Sequence, residues 1–263
     1  MDAKLSFLSV SIFFFSFHSV RAAPAPPPPS PWARAQRDYD AGRFARAEEI
    51  FGSLLSSGSR PSAALEYDLG NSLYREGRLG PAVAAYLRAY RILPRDPDIV
   101  YNLAFTLQKA GETLVPEGVP SPIFHAFHFM SLQEIAGTFW LLSWLLFVAG
   151  GVMLLRGGTR ALWPIPGRRR MAAASALAAW CFFGLWWAGR ALVRPPGLAV
   201  IVAPQAELRS GPGDGFAASF TVPEGRRVTV MGSAGSWLEV GTLKEGVEGW
   251  VRSGGVERLD PVR

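Results

Sequence analysis

Apolar positions fall into distinct textures along the chain, and each predicts a different element. Residues 5–17, LSFLSVSIFFFSF, form a short unbroken apolar run behind Lys4. Residues 135–155, IAGTFWLLSWLLFVAGGVMLL, carry no charge, and neither do residues 171–189, MAAASALAAWCFFGLWWAG. At 1.5 Å per residue the longer runs span a hydrocarbon core of ~30 Å, whereas the first is too short and matches the apolar core of an export signal. Val20-Arg21-Ala22 places cleavage after Ala22, the alternative being an uncleaved anchor; PAPPPPSP then reads as an extended spacer over residues 23–31. Beyond Pro196 the texture becomes short alternating runs between glycines, AVIVAP, RRVTVMG, WLEVG and EGWVR, which predict a small antiparallel barrel or sandwich.

Between the first two apolar runs the chain repeats itself. EYDLGNSLYREGRLGPAVAAYLRAYRILPRDP places Leu69-Gly70, Gly77, Ala82, Tyr86, Ala89 and Pro94 in an order that resembles the tetratricopeptide repeat. A shift of 34 residues sets Leu103-Ala104 and Gly111 on Leu69-Gly70 and Gly77. A backward shift of 35 sets Gly42, Phe44, Ala47 and Phe51 on Gly77, Leu79, Ala82 and Tyr86. Small residues let paired helices cross closely, aromatics fill the remaining gap, and Pro ends the second helix. Two repeats are expected at 32–60 and 63–96, with a capping helix at 97–110, all within a repeat domain over 32–111. By that resemblance, a peptide-binding groove would be lined by Tyr67, Asn71, Tyr74, Arg75, Tyr101, Asn102 and Phe105. Asn71 and Asn102 match positions that clamp a peptide carboxylate in some repeats, but Tyr67 stands where the clamp needs a lysine.

In the C-terminal part, Leu208-Arg209-Ser210-Gly211-Pro212, Pro223-Glu224-Gly225, Trp237-Leu238-Glu239-Val240 and Gly249-Trp250-Val251 together resemble a bacterial SH3 domain over 197–260. Such domains are associated with cell-wall peptides or extracytoplasmic protein segments. Trp237 and Trp250 are either core residues or part of a ligand groove. SGPGDG has the glycines of a phosphate loop, but a strand-like run follows it where a helix N-terminus is needed.

Charge fixes the orientation. The net charge is +6, yet residues 24–131 balance eleven basic against eleven acidic groups, and residues 197–263 hold seven basic and eight acidic. The excess lies in residues 156–170, RGGTRALWPIPGRRR, with Arg156, Arg160, Arg168, Arg169 and Arg170. No folded portion is basic, which argues against nucleic-acid binding. A short arginine-rich loop between two spans stays cytoplasmic, so both flanking domains face outward, in agreement with an export signal. Residues 112–134 are a juxtamembrane segment, 135–155 and 171–193 the spans. Arg190 closes the second span, where its stem reaches headgroups. Cys181, the single cysteine, reads as a small buried hydrophobe.

The expected fold class is therefore a multidomain membrane protein: an all-α tetratricopeptide stack, a two-helix transmembrane hairpin and a small all-β SH3-like barrel. Catalysis is not expected, for the chain has no nucleophile elbow, Walker loop, dinucleotide fingerprint or zinc-ligand set. His125 and His128 sit three apart among aromatics, in an interfacial segment better than in a metal site; no cofactor is expected. The order of parts resembles the BatE (aerotolerance-operon E) family of bacteria. That resemblance implies an inner-membrane complex with von Willebrand factor A-domain membrane proteins and an AAA+ ATPase. Two functions are compatible with the sequence: an assembly scaffold, and a peptidoglycan-binding tether or sensor.

Overall fold

The computed structural model describes residues 30–57, 62–155, 167–193 and 197–259. The signal, most of the spacer, Arg156 and Arg160 lie outside them. Helices α1 (Pro31–Asp40) and α2 (Phe44–Ser56) form one antiparallel pair, α3 (Ala63–Arg75) and α4 (Leu79–Ile92) a second, and α5 (Pro97–Lys109) stacks on α4. Each first helix begins on a side-chain cap. Ser30 accepts from the Ala33 amide, Ser62 from Leu65, and Asp96 from Asp98 and Ile99. Each ends on a glycine in the left-handed region, Gly42, Gly77 and Gly111, at φ of +74°, +79° and +73°. That conformation is cheap only for glycine, which explains the spacing of 35 and 34 in the sequence. Within the second pair Gly70 faces Tyr86; a Cβ on Gly70 would lie 2.8 Å from the ring, so the aromatic fills the space that glycine leaves.

Two long apolar helices follow the seven-residue helix α6 (Ser121–Phe127): α7 (Leu132–Leu155) and α8 (Gly167–Val193). Both are long and apolar enough to cross a membrane, and the rest of the protein buries almost none of their apolar surface. They pack as a hairpin. Phe139 lies flat against Trp180 and Trp187, Gly184 makes room for its ring, and Trp180 donates to Ser143 at 2.8 Å. Three expectations need correction. Arg168, Arg169 and Arg170 belong to the first turns of α8 and not to a connecting loop, because no residue from Gly167 on breaks the helix. Cys181 is exposed on the outside of the hairpin. Arg190 turns inward, its Nη1 donating to the Phe127 and Met130 carbonyls at 2.9 Å, and Trp186 also donates to Phe127. The end of α8 is thereby tied to the segment that runs from the end of α6 into α7.

The C-terminal part is a seven-stranded antiparallel sheet in the order β3-β2-β6-β5-β4-β1-β7. Its strands are β1 (Leu198–Ile201), β2 (Gln205–Arg209), β3 (Ala218–Pro223), β4 (Arg227–Ala234), β5 (Trp237–Thr242), β6 (Glu248–Arg252) and β7 (Val256–Arg258). Val222 and Val256, from the two edge strands, share one core with Ile201, Leu208, Val240 and Val251, so the sheet curls upon itself. Register shifts at Leu208/Arg209 and Val230/Gly232 provide the bends.

The sheet does not hang free: it packs on α4. A Cβ on Gly80 would lie 2.4 Å from the Ile201 carbonyl, so this glycine is where strand backbone meets helix. The first turn of α4 has no side-chain cap of its own; Glu224, from the β3–β4 turn, accepts from the Gly80 amide at 2.7 Å. Farther along α4, Arg88 bridges Glu66 of α3 (2.9 Å) and Glu257 of β7 (2.6 Å). Beyond α5, the buried carboxylate of Glu112 holds the Arg227 amide and side chain, while the Gly111 carbonyl accepts from Arg226 and Lys244. Val200 and Leu259 belong to the helical core itself.

Two outcomes follow from this interface. Gly80→Ala gains up to about 1 kcal/mol of helix propensity but forces the strand away. We therefore expect a net loss of about 1–3 kcal/mol and faster hydrogen exchange in β1 and the β3–β4 turn. Burial pushes the Glu66 carboxyl up, and Arg88 pulls it back. Arg88→Met leaves Glu66 buried without its cation and is expected to cost about 3 kcal/mol at pH 7. A carboxyl raised in the folded state binds its proton more readily there than when unfolded, so the deficit shrinks as pH falls towards 5. Adding Glu66→Gln should remove the pH dependence, as chemical denaturation across pH would show.

Candidate functional site

The sheet covers one side of the repeat pairs, on α4, and leaves the surface formed by α3 and α5 open. Seven sequence-selected residues lie on α3 and α5, and the structure divides them into three groups. Tyr67, Asn71 and Asn102 are half-buried and bonded together. The Asn71 side-chain oxygen accepts from the Tyr86 hydroxyl (2.7 Å) and the Asn102 amide (3.1 Å), and the Asn102 amide also donates to Tyr67 (2.9 Å). These contacts cross-link α3, α4 and α5. The pair of asparagines thus has a local packing task, which accounts for Asn at both positions without any carboxylate.

Tyr74, Tyr101 and Phe105 form the second group. Tyr101 is 69% exposed and lies nearly parallel to Phe105, which is 38% exposed, at a centroid distance of 6.3 Å and an angle of 8°. Tyr74 meets Phe105 edge-on at 5.9 Å. Lys109, which sequence reasoning missed, places its ammonium 5.1 Å from the Phe105 centroid and 5.7 Å from that of Tyr74. Its position four residues after Phe105 on the same helix was the available signal. The result is an exposed aromatic strip with a cation at one end, a surface suited to apolar side chains followed by an acidic group.

Arg75 stands apart. Its guanidinium covers the Phe44 ring at 4.6 Å and lines a shallow cleft of about 610 Å³ with Arg43, Arg46 and Glu49. Arg75 therefore does not extend the strip.

On the sheet, Trp237 and Trp250 lie outside the strand core, whose β5 and β6 residues are Leu238, Val240 and Val251. Trp237 pairs with Arg252 and Glu239 with Trp250 across β5 and β6, which sets both tryptophans on the outer face. Trp237 is nevertheless buried, with Arg252 over its ring at 5.2 Å and Asp214 holding Arg252 at 2.5–2.6 Å. Arg209 donates to the Asp214 and Phe216 carbonyls at 2.8 Å, and Phe216 packs on Gly211. The SGPGDG segment is thus a pinned turn between β2 and β3.

The paired histidines both pack against the Phe124 ring. His128 donates from Nδ1 to the Phe124 carbonyl (2.9 Å), and burial against that ring pushes its pKa down. Among the described residues no group of three or more metal-ligating side chains comes together.

Comparison with known families finds two matches. Residues 70–111 match the TPR repeat family model, and residues 204–257 match the bacterial SH3 domain. The first covers α4, α5 and the second half of α3 from Gly70 on; the second covers the sheet from β2 into β7. No curated protein matches the chain. Both modules fit protein interaction, and the second also fits peptidoglycan binding.

Proposed function

We propose that this protein is a membrane-anchored, non-catalytic interaction scaffold whose α3–α5 face binds an extended segment of a partner protein. The observation that carries this reading is the exposed strip of Tyr74, Tyr101 and Phe105 with Lys109 beside it, on the side of the repeats that the sheet leaves open. Large exposed aromatics of this kind are the usual anchors of protein contacts. Anchoring by α7 and α8 is supported by their length and by how little of their apolar surface the protein covers. Trp140, Trp144 and Phe147 are each more than half exposed, a poor arrangement in water and a suitable one in lipid. With the arginine-rich segment on the cytoplasmic side, the repeats and the sheet face outward, in a bacterial inner membrane. The order of modules supports a place in an aerotolerance-type complex with von Willebrand factor A-domain membrane proteins as partners.

A photoreactive residue replacing Tyr101 in the full chain, followed by mass spectrometry of the adducts, tests the scaffold. Capture of one membrane-protein partner is expected, and Phe105→Ser combined with Lys109→Glu should reduce it at least about tenfold, in line with loss of a central anchor. Adducts confined to lipid, or capture unaffected by those changes, would count against the strip.

A second reading rests on the sheet. Trp250 shares the outer face with Trp237, Arg252 and Arg209, so aromatic and cationic groups adjoin there. Sedimentation of the full chain with purified peptidoglycan, compared with Trp250→Ser, examines this envelope tether. Co-sedimentation that the substitution abolishes would favour the tether over the scaffold.

A further inference from the structure

A cavity of about 960 Å³ lies where four parts of the chain meet: α4, the segment from Glu112 to Leu132, the end of α8 and the curled sheet. Its walls are largely apolar, with Leu87, Phe124, Phe127 and Leu198 among them. Ile123 and Val193, also in its lining, are 62% and 68% exposed and extend the apolar surface outward. Val193 is the last residue of α8, so the cavity sits at the level where that helix leaves its apolar stretch.

The polar groups in this cavity have an uneven balance. Arg91, Arg190, Arg227 and Lys244 line it against two carboxylates, Glu112 and Glu117. Glu112 is held by Arg227, and Glu117 is exposed. Arg190 and Lys244 make their hydrogen bonds to main-chain carbonyls, of Phe127, Met130 and Gly111, and neither forms an ion pair among the described residues. Arg190 is therefore a half-buried cation without an acidic partner beside apolar walls, and Lys244 adds an exposed one. Tyr90 adds a third group. It lines the same cavity, is only 8% exposed, and its hydroxyl has no hydrogen-bond partner in the protein. Burial pushes that hydroxyl up to about 12, so it stays protonated and serves as a donor. An unpartnered buried donor is costly unless something accepts from it.

We infer that this cavity is a binding site for an anionic phospholipid of the outward leaflet. The phosphate would be taken by Arg190, Lys244 and the Tyr90 hydroxyl, and the upper acyl chains would lie along the apolar walls. The combination favours an amphiphile over a free anion, because apolar surface surrounds the cations, and an anionic over a zwitterionic lipid, because among the described lining residues no unpaired buried carboxylate stands ready to receive a choline. The volume lies at the upper end of small-ligand sites, ~300–1,000 Å³. This inference rests on the membrane-anchored reading, which supplies the lipid. It assigns the juxtamembrane segment a task of its own, that of the wall between headgroup and repeat stack.

The test uses the full chain in a non-ionic detergent, with dioctanoyl phosphatidylglycerol, dioctanoyl phosphatidylcholine and inorganic phosphate as probes, read by native mass spectrometry. Phosphatidylglycerol should bind about tenfold or more tightly than phosphatidylcholine, with no retained phosphate. Tyr90→Phe and Lys244→Gln should each weaken phosphatidylglycerol by about tenfold, the effect of one lost bond to a charged group. Tyr90→Phe removes a hydroxyl that makes no hydrogen bond within the protein, so its unliganded melting temperature should not fall. Equal retention of the two lipids, or insensitivity to both substitutions, would overturn the site. Retention of inorganic phosphate alone would overturn the amphiphile. Alkaline extraction of membranes checks the anchoring separately. A chain that is extracted, yet still selects phosphatidylglycerol in detergent, removes the anchor and leaves the cavity chemistry standing.

Discussion

Everything in the architecture outside the two long apolar helices depends on the close approach of β1 to the first turn of α4. A helix presents unbonded amides at its start, and α4 lacks the serine or aspartate that caps α1, α3 and α5. Glu224 provides the missing acceptor from 144 residues away, and Gly80 provides the space. Neither feature works without the other. A side chain at position 80 would hold the strand off, and a distant Glu224 would leave the amide uncapped at a buried site. The ion pairs of Arg88 and Arg227 then fix the orientation, each spanning the repeats and the sheet. The helical core accepts Val200 and Leu259 as its own members, so part of the apolar surface of the repeats is closed by strands.

This arrangement bears on how a short repeat array is stabilised. Two pairs and a single extra helix leave apolar surface exposed at the end of a stack, which arrays commonly cover with a capping unit. Here the sheet does part of that work, on α4 and at the Gly111–Thr113 turn that follows α5. The cost is that one side of the array is no longer available for partners. The gain is that α3 and α5 are held by the Tyr67–Asn71–Asn102–Tyr86 network and stay open, with Tyr74, Tyr101 and Phe105 supported from below.

The modules were legible from the sequence because each is written in local terms. Gly42, Gly77 and Gly111 mark the same left-handed turn three times, and Gly70 with Tyr86 states a packing pair. In the sheet, alternating runs and the turn glycines carry a similar signal. The association of the two modules was not legible. It rests on a glycine inside a repeat helix, a glutamate inside a turn, and arginines whose partners lie more than a hundred residues away. No periodicity links such positions. The groove residues were read from the repeat pattern alone, which gives the face but not the rotamers. It therefore grouped Arg75 with the aromatics and passed over Lys109. Hydropathy puts Arg190 at a lipid boundary and has no way to see the carbonyl of Phe127 at the end of α6 or that of Met130 beyond it.

A related constraint acts where the segments converge on α8. Arg190 anchors the helix end to the segment between α5 and α7, that segment leads from α5, and α5 ends on the glycine whose carbonyl receives Arg226 and Lys244. A shift of any one of these parts would be transmitted to the others through short polar contacts and not through a flexible linker. The position of the sheet relative to the α7–α8 hairpin is in this way set by the same residues that line the cavity. Occupation of that cavity, or binding along the open face of α3 and α5, would act on a single connected body. Coupling between them requires only that the bound and free states differ in how α4, α5 and α8 are held together.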